Sequence, residues 1–214
     1  MATQLKIYNM ALLLIGQNPL SSLNDSNESR RILDQIWNND PPATDSWLEQ
    51  GFWNFAMRTR KAAYDPDYDP DYGYKYVYQI PSDVVRMNQL SANEYFRGPQ
   101  IEYKEEGGFW FCDYQEIYLR YVSNDNSYGG NLSLWPASFT KFCESDLAFM
   151  AAHRIDSGQL DRLYGIRRKA LTDARSKDAM REPTGQQYHG SWVQARVSGN
   201  GSAWDRGSRG SLTG

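Results

Sequence analysis

The sequence predicts an α+β chain: a helical bundle of about five helices, a small antiparallel β module inserted between the N-terminal and C-terminal helices, and an extended C-terminal arm. Three observations carry this. Apolar residues recur at helical spacing through the first 63 residues and alternate from Tyr74 to Val122, so the period changes within Phe52–Ile80. Helical spacing returns after Pro136. Beyond Pro183, Gly and Ser dominate and the apolar residues stand singly. The expected division is one domain over 1–181 (helices in 3–63, β module in 74–122, helices in 136–180) and a flexible arm over 182–214 that orders on binding.

Taken in order, Thr3 is placed to cap a first helix that ends at Ile15, with Gly16 as its C′ residue and Asn18-Pro19 barring continuation. Leu5, Tyr8, Leu12 and Ile15 form one apolar stripe, and Ile7, Met10, Ala11 and Leu14 another. Asp25 and Glu28 stand at capping-box spacing before a second helix with Ile32, Leu33, Ile36 and Trp37. Asn39-Asp40-Pro41-Pro42 ends it. Thr44 or Asp45 starts a third helix carrying Trp47, Leu48, Phe52 and Phe55 and expected to reach about Ala63.

Asp-Pro-Asp-Tyr then occurs twice, at Asp65–Tyr68 and Asp69–Tyr72. A calcium loop would need glycine and glutamate where Pro70 and Tyr76 stand, so that reading is disfavoured. An exposed contact loop through Asp65, Asp67, Tyr68, Asp69, Asp71 and Tyr72, or a plain solvated loop, remains. Strand alternation follows in Lys75–Ile80, Val84–Leu90 and Glu116–Val122. Ile101–Lys104 and Phe109–Cys112 read as a hairpin around a turn at Glu105-Glu106-Gly107-Gly108. The expectation is one sheet of about four or five strands. Trp53 and Phe55 before the insert, and Tyr76 and Tyr78 after it, are expected to be core residues at the joint between bundle and β module. After Pro136, a helix carries Phe139 to Ile155, and another runs from Leu160 to about Met180.

The 214 residues carry a net charge of −3 and 14% aromatic content. Mean hydropathy is −0.72. The charge is divided: residues 1–138 hold 11 basic and 18 acidic side chains, whereas 139–180 hold 8 and 6. The longest apolar run, Met10–Ile15, is too short for a membrane span, and the start does not read as a secretory signal, so assembly in a cytoplasm and no membrane partner are expected. Cys112 and Cys143 read as buried thiols. His153 and His189 offer too little for a zinc site or a nucleophile triad. No catalytic, metal or cofactor residues are assigned, and the protein is not expected to be an enzyme.

Two weaker signals have ordinary explanations. Glu105-Glu106 near Trp110 could serve a glycan hydrolase, but adjacent turn carboxylates need not flank one bond. Arg167-Arg168-Lys169 shares its helix with Asp161, Asp173 and Asp178, which favours a solvated or intersubunit face over a nucleic-acid patch. In the arm, Tyr188, Trp192, Val197 and Trp204 suit docking onto a partner, since aromatics bury a large area with few rotatable bonds.

Several motifs resemble the tail tubular protein A, or head-to-tail adaptor, family of short-tailed bacteriophages. They are Asn9-Met10-Ala11-Leu12 with Ile15-Gly16, Pro19 and Ser22-Leu23; Arg30 to Trp37; Gly51-Phe52-Trp53-Asn54-Phe55-Ala56; Tyr76 to Asp83; and Ile117-Tyr118-Leu119-Arg120-Tyr121 with the helix from Pro136. The resemblance spans roughly residues 5–180; the Asp-Pro-Asp-Tyr insert and the arm depart from it. It implies a structural virion protein at the head–tail junction, in a ring of about twelve copies. That ring would join the portal protein to a nozzle resembling tail tubular protein B, with fibre proteins as further neighbours. Packaged DNA would pass through the lumen without specific binding, helped by acidic lining. The arm would reach the portal or a neighbouring subunit. A head-completion or other connector ring protein is the nearest rival, and a tail-associated glycan hydrolase the rival of another class.

Overall fold

Helix α1 (Gln4–Ile15) begins where the Thr3 side chain accepts the Lys6 amide. Behind it, Asn9 clamps the following turn: its Nδ2 donates to the Leu20 carbonyl at 3.0 Å and its Oδ1 accepts the Leu20 amide at 2.8 Å. The computed structural model describes residues 2–68, 70, 73–96 and 101–181. Helix α2 (Glu28–Trp37) is capped by Asn27 through the Ser29 amide. The expected Asp25–Glu28 capping box does not form, because Asp25 instead accepts from Ser21 and Ser22 in the preceding turn.

The third helix is shorter than its sequence suggests. α3 spans Ala43–Glu49, and Met57–Ala62 is a strand, β1. The helix cannot run on because Gly51 packs against the ring of Trp53, whose indole N–H turns back to the Trp47 carbonyl at 3.3 Å. The Asn54 amide and side chain then bond Asp178 at 2.9 and 3.0 Å. Phe52, expected on the helix's apolar stripe, is exposed, with the Arg86 guanidinium 4.3 Å over its ring.

Five helices and six strands are present among the described residues, an α+β arrangement. The remaining strands are β2 (Tyr76–Gln79), β3 (Val84–Ser91), β4 (Lys104–Glu106), β5 (Phe109–Cys112) and β6 (Ile117–Ser123). Instead of one sheet they form two antiparallel sheets, ordered β1-β6-β3 and β2-β5-β4. β6 takes the centre of the first because Met57 to Ala62 pairs with Val122 to Ile117 in unbroken register. Charge-rich β1 occupies an edge, where Arg60 and Lys61 stay solvated and half-buried Arg58 pairs with Asp83. The β4–β5 turn is also tighter than expected. Gly107 and Gly108 alone make it, both at positive φ, and Glu105 and Glu106 are strand residues.

α4 (Ala137–Ile155) and α5 (Leu160–Ala179) close the bundle. The bundle core holds Trp47, Trp53, Phe139 and Phe142 with the apolar face of α1. A second cluster gathers Tyr78, Trp110, Cys112, Ile117, Leu119 and Tyr121. β6 is the wall between them: Tyr121 faces the β cluster and its neighbour Val122 faces the helices. Residues through Arg181 thus hold together as one unit.

Candidate functional site

Of the residues assigned to the joint, Trp53 and Phe55 lie in the bundle core, with rings 4.7 and 4.9 Å from Phe139. Tyr78 is buried in the β cluster, and Tyr76 packs half-buried against it. Trp53 and Tyr78 are buried in two separate clusters, Phe55 and Tyr76 pack half-buried against them, and β6 stands between the clusters.

The first half of the acidic insert folds back on the β2-β5-β4 sheet. The Asp65 amide donates to the Val77 carbonyl at 2.8 Å, and the Asp67 amide donates to Asp65 Oδ1 at 3.0 Å. Tyr64 meets Tyr76 edge-on at 5.3 Å, and Tyr68 stacks on Phe109 at 5.1 Å. Asp69, Asp71 and Tyr72 lie outside the described residues, as do Tyr188, Trp192, Val197 and Trp204.

Between insert and sheets lies a cleft of about 630 Å³, bounded by Arg60, Tyr64, Asp65, Gln79, Ile80, Asp83 and Leu119. Asp83 braces it. Its carboxylate accepts from Ser123 Oγ at 2.6 Å, Arg58 at 2.8 Å and Tyr121 Oη at 3.1 Å. Burial alone would raise the Asp83 carboxyl, but these donors outweigh it and hold the group below its usual range. Burial beside that carboxylate pushes the Tyr121 hydroxyl up to about 12. Asp83 therefore fastens the β2–β3 loop to β1 and β6.

Glu105 and Glu106 follow each other in a strand, so their side chains point to opposite faces. Glu105 accepts the Trp110 indole N–H at 2.9 Å, while Glu106 pairs with Lys104 at 2.7 Å. That placement does not suit a carboxylate pair flanking one glycosidic bond.

The basic run of α5 is partly consumed within the fold. Arg167 pairs with Asp146, and Arg175 donates to the Gln50 carbonyl at 3.1 Å. Cys112 and Cys143 are buried thiols, both pushed up by burial. His153 is exposed, its ring 5.1 Å from that of Phe149. Among the described residues no three His, Cys, Asp or Glu side chains group as a metal set would.

One feature the sequence did not announce is a groove between α1, α4 and α5. Its main cavity of about 370 Å³ has Met10, Leu14, Ile166 and Ala170 as apolar lining and Lys141, Lys169, Asp173 and Lys177 at its edge. A smaller one of about 280 Å³ shares Met10, Lys141 and Glu144 and adds Lys6 and Trp135. Glu144 lines both and is only 7% exposed. Burial raises its carboxyl, opposed by the charges of Lys6 and Lys141. A lone Glu between Cys143 and Ser145 looks ordinary in sequence. Its burial follows only from α1 and α5 packing on either side of α4. No protein-family model matches this chain, and no curated protein matches it.

Proposed function

We propose that the chain is a structural subunit of a viral head-to-tail adaptor: a ring of copies between the portal and the tail nozzle, around a channel for DNA. The observation that supports this best is the order of parts. Helices, a β module and a long helical pair follow one another along residues 4–179; of the motifs that resemble the adaptor family, those at 9–12, 30–37 and 117–121 lie within α1, α2 and β6, and those at 51–56 and 81–83 fall between elements. Asn9 clamps the turn after α1, Trp53 and Asn54 fasten α3 to α5, and Pro81 to Asp83 ties the two sheets. In this reading the arm over 182–214 contacts the portal or a neighbouring copy, while Tyr68 and the acidic insert are contact residues. No catalytic role is proposed, and the opposite faces of Glu105 and Glu106 weigh against the glycan hydrolase alternative.

The test is capture by portal. Full-length protein and a version ending at Arg181 are each mixed with the portal of the same virus and sized by mass. The adaptor reading expects the full chain to add several copies per portal and the shortened chain to fold but not to be retained. Retention by a mature neck complex and not by portal alone would favour the head-completion alternative. Full incorporation of the shortened chain would overturn the role given to the arm.

A further inference from the structure

We infer that one copy of this chain docks on another through unlike surfaces, the Lys104–Phe111 end of the β2-β5-β4 sheet of one seating in the lysine-edged groove of α1, α4 and α5 of the next. The inference rests on the adaptor reading only in supposing that such contacts close into a ring.

The groove asks for a particular occupant. Met10, Leu14, Ile166 and Ala170 offer an apolar floor, and Lys141, Lys169 and Lys177 stand exposed at its edge. Glu144, with 7% exposure, lines the same groove and can accept from a donor brought to it. A ligand with an apolar body, a hydroxyl tip and acidic flanks answers all three demands.

The same chain presents that combination. The antiparallel register ends with Lys104 opposite Phe111, and Glu102 and Tyr103 stand just before β4 in the chain while Asp113 and Tyr114 stand just after β5. Tyr103 and Tyr114 are 39% and 46% exposed, and Glu102 and Asp113 are exposed beside them. A tyrosine buries a large ring with two rotatable bonds and keeps an O–H donor at its end. Seated in the groove, the ring covers the apolar floor, the hydroxyl donates to Glu144, and Glu102 and Asp113 face the lysines. Because the two surfaces differ, the contact is heterologous: each copy keeps one of each free for the next, and the series closes into a ring or continues as a filament. Its charges steer association and make it salt-sensitive.

The experiment uses the full chain with a photo-crosslinking phenylalanine analogue in place of Tyr114, mixed with isotopically heavy copies and irradiated without portal. Mass spectrometry should find heavy–light adducts on α1, α4 and α5 around the groove. Lys141→Glu with Lys169→Glu and Lys177→Glu on the heavy copy should cut them about tenfold. Adding Glu102→Lys and Asp113→Lys to the photo-reactive copy should restore them. These substitutions are on exposed side chains, and thermal melting checks that each variant folds. Adducts elsewhere, adducts only within one copy, or adducts indifferent to the charge swap would overturn the contact. So would capture of a different protein at the groove while copies fail to crosslink. Groove adducts without portal binding would leave this contact standing and remove the adaptor reading; a portal-bound ring with adducts elsewhere would do the reverse.

Discussion

Trp47 donates its indole N–H to Asp146 at 2.6 Å, and the same carboxylate pairs with Arg167, so one buried acid holds α3, α4 and α5 together. Asp146 is 1% exposed, and Arg167 lies over the ring of Phe149 at 5.3 Å. Removing the acid should therefore cost far more than removing one donor. Trp47→Phe is expected to lose about 1–3 kcal/mol and Asp146→Ala about 3–5 kcal/mol, read by denaturant unfolding. A double-mutant cycle with Arg167→Met should show coupling; additive losses would mean the three residues act separately.

Trp53→Ala should destabilise the unit by roughly 3–5 kcal/mol, because the ring is buried against Phe139 and its removal leaves a cavity. Tyr68→Ala should cost about 1 kcal/mol, the scale of one exposed aromatic pair. Urea titrations of both variants check the contrast.

Gly129→Ala should lose about 1–3 kcal/mol. A methyl group there would lie 2.5 Å from the Ser123 carbonyl oxygen and 2.9 Å from both Ala56 and Leu48, while the Gly129 carbonyl must still accept the Trp135 indole N–H at 2.7 Å. An unchanged melting temperature would contradict the packing described around this loop.

Asp83 and Glu144 should give opposite pH signatures. The Asp83 carboxyl is held low, so its stabilisation is complete above the ordinary carboxylate range and lost as pH falls through its folded value. Ser123→Ala should weaken the protein at neutral pH and reduce its acid sensitivity. The Glu144 carboxyl is held high by burial, so its ionisation opposes folding as pH rises above the ordinary value. Glu144→Gln should raise stability at neutral pH and leave it unchanged in acid. Melting curves across pH check both signs.

Four of the five helices and most strands were legible because their signals are local. Thr3, Gly16 and Pro136 mark helix ends, and Ile117, Leu119 and Tyr121 alternate along one face of β6. β1 was hidden because Met57–Ala62 carries three cations and an edge strand needs little apolar pattern; its identity depends on β6, about 60 residues later. The division into two sheets likewise depends on pairings that no local period encodes. Trp53, Phe55 and Tyr78 could be read as core from aromatic content, but their assignment to different clusters could not. Glu144 stayed unread because a buried carboxylate has the same letter as a solvated one.

The adaptor claim is tested most directly by imaging the full chain after mixing it with the portal of its own virus. The expected result is a ring of this protein seated coaxially on the portal around an open channel. A portal that keeps its own mass and outline, with the chain left in solution as single copies, would contradict it.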